Sequence, residues 1–158
     1  MTFSISGFCE KTGMVGVAIT TSSICVASRC PWVRAGVGAG ATQNITDPSL
    51  ANLMFDFLEN GYSVQESIDK VVKDRNFIEY RQLALIDIKG NCASYTGSQT
   101  LGTHAVVKGD NCIAAGNLLK SRNTAEAMSE SFSINSSLHL AERLLTAIQA
   151  GIDAGGEE

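Results

Sequence analysis

The stretch Met1-Thr2-Phe3-Ser4-Ile5-Ser6-Gly7-Phe8, continued by Cys9-Glu10-Lys11-Thr12-Gly13 and Met14-Val15-Gly16-Val17-Ala18-Ile19-Thr20-Thr21, decides the fold. Phe3, Ile5 and Gly7 alternate with polar neighbours at the two-residue period of a β-strand. Residues 10–13 have turn chemistry, and residues 14–21 form a β-branched, apolar run. The two runs predict a hairpin, with Thr2 at the head of an inner strand.

Working outward, residues 24–27 and 33–42 continue the strand pattern, the second rich in Gly36, Gly38 and Gly40. Small side chains there predict a strand that another backbone or a ligand approaches closely. Asp47-Pro48 reads as a helix cap with proline in the first turn, and Leu50, Leu53, Met54, Phe57 and Leu58 recur at helical spacing up to Gly61. Ser63 to Glu66 is a capping box ahead of a Val64, Ile68, Val71 and Val72 stripe. Residues 81–88 and 92–95, joined by Lys89-Gly90-Asn91, predict a second hairpin, and residues 104–107 with 112–115 a third. Asn123 is the expected cap of a helix through Phe132. Residues 138–152 predict a closing helix with Leu140, Leu144, Leu145 and Ile148 on one face.

Strands, two helices, strands, two helices is the order of an α+β protein with segregated layers. It fits two stacked antiparallel sheets flanked by helix pairs. No linker, repeat or low-complexity stretch interrupts it, so one domain over residues 1–158 is expected.

Composition narrows the class of protein. With 44% hydrophobic and 18% charged residues the chain reads as globular. A net charge of −4 without a Lys/Arg cluster offers no footprint for nucleic acid or anionic lipid, so neither partner is expected. Five cysteines without C-x-x-C spacing read as reduced thiols, with Cys25 and Cys30 expected to be buried. Without a secretory n-region and h-region, and without a long apolar run, the expectation is a cytoplasmic protein.

The usual cofactor signatures are missing. There is no H-E-x-x-H or G-x-x-x-x-G-K, and the Gly36-Val37-Gly38-Ala39-Gly40 run has the wrong spacing for a dinucleotide loop. Neither a metal nor an organic cofactor is expected. His139, between two leucines of the closing helix, receives no role.

Thr2 is the first chemical signal. Methionine aminopeptidases accept a small second residue, so removal of Met1 would expose an amino-terminal threonine. Such a residue unites a hydroxyl nucleophile with an α-amine of pKa about 8 able to serve as its base. Threonine is also an ordinary strand residue, so position alone leaves both readings open.

A family resemblance adds to this. Met1-Thr2-Phe3-Ser4-Ile5, Gly16-Val17-Ala18, Pro31-Trp32-Val33-Arg34-Ala35-Gly36-Val37-Gly38-Ala39, Ala41-Thr42-Gln43, Arg81-Gln82-Leu83, Thr96-Gly97, Gly116-Asn117 and Leu140-Ala141-Glu142-Arg143-Leu144-Leu145 resemble the DUF1028 family, regarded as predicted N-terminal-nucleophile (Ntn) hydrolases. The resemblance spans essentially the whole chain and implies a four-layer αββα sandwich like that of proteasome subunits. It implies an amidohydrolase or peptidase acting on a small amide or short peptide. Relatives continue beyond the Gly-Gly-acidic segment with further strands, so the domain here is expected to lack C-terminal strands. Where proteasome-like enzymes carry a lysine on the second strand of the first hairpin, this chain has Thr20, Thr21, Ser22 and Ser23.

Under that resemblance Thr2 is the nucleophile, and Asn117, with backbone amides near Gly38, a candidate oxyanion donor. Arg29 and Arg34 are candidates to grip a substrate carboxylate, unless they are solvated surface arginines. Ser23, Gln43 and His104 complete the candidate substrate-binding set. Two other functions stay open: a non-catalytic small-molecule-binding module, and an assembly protein forming a homo-oligomer.

Overall fold

The structure, a computed structural model, describes residues 2–157. β1 (Thr2–Cys9) and β2 (Met14–Thr21) form the expected hairpin, in register from Cys9 opposite Met14 to Thr2 opposite Thr21. Two strands, β3 (Pro31–Arg34) and β4 (Gly38–Asn44), follow, then α1 (Ser49–Glu59) and α2 (Val64–Val72). β5 (Arg81–Asp87), β6 (Cys92–Thr96), β7 (Ala105–Gly109) and β8 (Cys112–Asn117) lead to α3 (Asn123–Ile134) and α4 (Leu140–Asp153).

The strands form two antiparallel four-stranded sheets, ordered β2-β1-β8-β7 and β3-β4-β5-β6. β1 is an inner strand, as its sequence predicts. Alternation along β1 separates two buried faces. Phe3, Ile5 and Cys9 join Met128, Phe132 and Leu144 in the core under α3 and α4. Phe8 faces the other way, into a thin inter-sheet core with Ala39, Ala84, Ile86, Ile113 and Ala115. A third core unites Leu83, Leu85 and Ala93 of the second sheet with Leu50, Met54 and Phe55 of α1 and Ile68 and Val71 of α2. Helix pair, sheet, sheet, helix pair is the αββα sandwich expected.

Several local expectations are corrected. Residues 24–27 are not a strand: Cys25 takes a left-handed φ of 56° and Val26–Ser28 make one 3-10 turn. Residues 33–42 are split between β3 and β4 by a turn at Gly36, whose φ of 73° favours glycine. The glycines of β4, by contrast, meet the close backbone approach expected of them, because a Cβ at Gly38 or Gly40 would collide with the carbonyls of Ile86 or Ala84 on β5. The cap ahead of α3 is Ser121, whose Oγ accepts the Asn123 N–H at 3.1 Å. On α4, Leu145 is exposed, and Arg143 takes the buried place. Its guanidinium lies 3.8 Å over the Phe132 ring and donates to the Phe132 carbonyl. His139 caps α4 by accepting the Ala141 N–H on Nδ1. No helix among the described residues is long and apolar enough to cross a membrane.

Candidate functional site

The inter-sheet layer changes character along its length. At the turn end of β1 it is the apolar cluster around Phe8. Toward Thr2 it becomes polar, because the residues of β1 that share the face of Phe8 are Thr2, Ser4 and Ser6. β4 brings Gln43, β5 Gln82 and β8 Asn117 to the same layer, with Gln43 opposite Gln82 and Asn117 opposite Thr2 in register.

These side chains form one directed chain of hydrogen bonds. Gln82 Nε2 donates to the Gly116 carbonyl at 3.1 Å, and since a carbonyl can only accept, this fixes which way the amide faces. Gln82 Oε1 must then accept, and it does so from Gln43 Nε2 at 2.8 Å and Asn117 Nδ2 at 3.2 Å. Gln43 Oε1 in turn accepts from Ser4 Oγ at 2.8 Å. All four residues are at most 1% exposed, so the bonds replace water that these groups cannot reach.

Thr2, 7% exposed, lies beside this network as the register partner of Asn117. Its Oγ1 lies 3.0 Å from Thr21 Oγ1, which also accepts the Ser23 N–H at 3.1 Å. Glu157 approaches from the side: its Oε2 accepts the Ser22 N–H at 3.2 Å. The arrangement places a hydroxyl, a side-chain amide donor and a carboxylate around the start of β1. Met1, whose removal the sequence reading invokes, lies outside the described residues.

Of the residues expected from sequence, the structure gathers Thr2, Asn117 and Gln43. Ser23 is exposed and takes part through its backbone N–H. His104 is half-buried just ahead of β7, one position short of the Ala105–Gly116 pair, with Nδ1 3.1 Å from the Gly102 carbonyl. The arginines stand elsewhere. Arg34 lies on the helix side of the second sheet, over the Phe55 ring, and its Nη1 meets Asp56 and Glu59 at 2.7 Å each. The carboxylates it grips are the chain's own. Arg29 braces its loop, donating to the Ile24 carbonyl at 3.1 Å and to Cys30 Sγ at 3.8 Å. Gly38 is five residues from Gln43 on β4, roughly 17 Å at strand rise, so its amide cannot serve the same site. Cys25 is exposed, against the expectation of a buried thiol. Cys30 is buried, and burial pushes its thiol pKa up.

Sequence reading passed over Ser4, Gln82 and Glu157 as site residues. Gln82 did carry a signal: it shares the alternate positions of β5 with Ala84 and Ile86, both in the inter-sheet core. An amide at a core position calls for a buried partner. Glu157, in a glycine-flanked irregular segment, carried no such pattern.

Surface depressions lie at both ends of the sandwich. One of about 300 Å³ is lined by Ile45, Phe77, Tyr80 and Arg81, at the same end of the second sheet as Gln43 and Gln82. Another, of about 140 Å³, lies at the far end, between the β1–β2 turn and Arg143. Among the described residues no group of three or more His, Cys, Asp or Glu side chains could hold a metal ion.

Comparison with known proteins places the chain. No curated protein matches it. The crystal structure of protein SPO2555 from Silicibacter pomeroyi, described as a DUF1028 family model, superposes with a TM-score of 0.93 at 32% identity, over 98% of this chain and 69% of that one. Residues 2–158 match the family of unknown function DUF1028, and the chain belongs to that family.

Proposed function

We propose that the protein is an amidohydrolase or peptidase of the Ntn type, with Thr2 as nucleophile once Met1 is removed, acting on a small amide or short peptide. The observation that carries this reading is the setting of Thr2. It starts an inner strand, its hydroxyl is hydrogen-bonded to Thr21, and its neighbour Asn117 is locked by Gln82 with an N–H as its donor. A hydroxyl beside an oriented amide is what acyl transfer asks of a site.

In the proposed reaction the Thr2 Oγ attacks the amide carbonyl carbon and its proton passes to the Thr2 α-amine. The C–N bond then breaks, and the departing amine takes up that proton. Water hydrolyses the remaining ester and frees Thr2. Asn117 Nδ2 stabilises the oxyanion. The chemistry draws on no cofactor, and the substrate class is a small amide or short peptide.

A non-catalytic binding module is the second reading, favoured by one observation: Thr2 is only 7% exposed, and hydroxyls stand beside it on β2 where related folds carry lysine. Intact mass before and after treatment with an electrophilic β-lactone separates the two. Loss of Met1 with an adduct mapped to Thr2, and loss of turnover in Thr2→Ala, are expected. Retained Met1 without adduct, with ligand binding that survives Thr2→Ala, would establish the binding module instead.

A further inference from the structure

Glu157 is held on two sides of Thr2. Its backbone pairs with Leu119 in an isolated antiparallel bridge, and its Oε2 accepts the Ser22 N–H. Leu119 lies two residues beyond Asn117 and Ser22 one beyond Thr21, and Asn117 and Thr21 are the two register partners of Thr2. The Glu157 side chain therefore spans from one neighbour of β1 to the other, across the strand's N-terminal end.

Its two oxygens fare differently. Oε2 has the Ser22 amide, whereas Oε1 is buried and has no hydrogen-bond partner among the described residues. The ion pairs among the described residues are those of Arg34, so no lysine or arginine neutralises this carboxylate. Lys120 meets the same segment through its backbone N–H, which donates to the Gly156 carbonyl at 3.1 Å. A buried carboxylate oxygen left alone is costly, and a cationic donor is the partner that best repays it.

We propose that Glu157 is a positioning residue whose carboxylate is the counter-charge of the Thr2 α-ammonium in the chain that begins at Thr2. This rests on the reading of Thr2 as an amino-terminal nucleophile and adds what orients the amine. A partner on Oε1 holds the amine on one side of the strand end, next to its own hydroxyl, and supports its protonated form while the leaving amine waits for the proton.

The test reads the amine, not turnover. Protein confirmed by intact mass to start at Thr2 is labelled with 13C-threonine, and the Thr2 Cα shift is followed against pH. Other threonines carry no amine and serve as internal controls. In Glu157→Gln, which keeps an acceptor for Ser22, the amine pKa should fall by about one unit. Glu157→Asp, which keeps the charge but withdraws it, should fall by less. An unchanged amine pKa in Glu157→Gln would overturn the proposal, and should that variant fail to fold, an unchanged value in Glu157→Ala would do so. A shift without lactone labelling would sink the catalytic reading while leaving this pairing intact; labelling without a shift would do the opposite.

Discussion

Ser4 and Ser6 share one face of β1, are both 1% exposed, and differ in their bonding: Ser4 donates to Gln43 Oε1, whereas Ser6 Oγ has no partner among the described residues. The two hydroxyls thus separate the value of a satisfied buried polar group from the cost of an unsatisfied one. Ser4→Ala strands the Gln43 acceptor and should destabilise by about 1–3 kcal/mol. Ser6→Ala removes an orphan hydroxyl and should be neutral or stabilising. Urea unfolding midpoints of the two variants decide this, and equal losses would mean that the amide chain contributes nothing beyond packing. The same residues mark what was legible in sequence. Thr2, Gln43 and Asn117 were found because each stands at a strand end within a recognisable motif. Ser4 and Gln82 were missed because a polar residue in a strand does not show whether its side meets solvent or a second sheet, and in this fold β1 and β5 are buried on both faces. Arg34 was misplaced because a charged residue beside a turn gives no hint of which sheet face it takes. Asp56 and Glu59, 22 and 25 residues along, decide that.

At the scale of elements, the local signal served at α2, where the cap is made by residues of a recognisable box. Ser63 and Glu66 form the reciprocal box the sequence announces: Ser63 Oγ accepts the Glu66 N–H, and the Glu66 carboxylate accepts the Ser63 N–H and hydroxyl. The α3 cap was displaced because Ser121 and Asn123 are equally good cap residues, and only the chain's path out of β8 chooses between them. The 24–30 loop escaped prediction because Ile24 and Val26 look like strand residues, while the fold needs the chain to cross from one sheet to the other there. Ser63→Ala should cost about 1 kcal/mol at neutral pH. The Ser63 hydroxyl and N–H hold the Glu66 carboxyl below its usual pKa. Its contribution is therefore complete above the unfolded value of about 4.3 and fades as pH falls through the lower folded value. Thermal melts should accordingly show the gap between wild type and Ser63→Ala narrowing below pH 4. A gap constant down to pH 2 would mean that the glutamate adds nothing to the cap.

For the whole molecule, the layer order was legible because it follows from the sequence of periods, two-residue then helical, twice over. The pairing of β1 with β8 and β4 with β5 was not, since those strands are far apart in the chain and only the assembled sandwich brings them together. What unites the sheets is thin: Phe8, Ile86 and Ile113 interleaved with alanines, closed at one end by polar amides. Cys92 reports on this layer directly. It packs against the inter-sheet core from β6, and its thiol bridges the layers by donating to the Cys112 carbonyl of β8 at 3.4 Å. Burial pushes its pKa up to about 12, so at pH 8 only about one thiol in ten thousand is the reactive thiolate. Cys25 is exposed in the 24–30 loop and has no such protection. Iodoacetamide at pH 8 should add one equivalent rapidly at Cys25, with Cys92 modified only at the rate of global unfolding, as read by peptide mapping along a urea series. If Cys92 instead reacted well below the unfolding midpoint, the sheets would part without the helices melting, and the sandwich would be two separately stable halves hinged at the polar end. Because β1, β5 and β8 each carry a helix-facing core on their other side, parting the sheets leaves both halves with an exposed apolar face, and the single cooperative transition is the expected result.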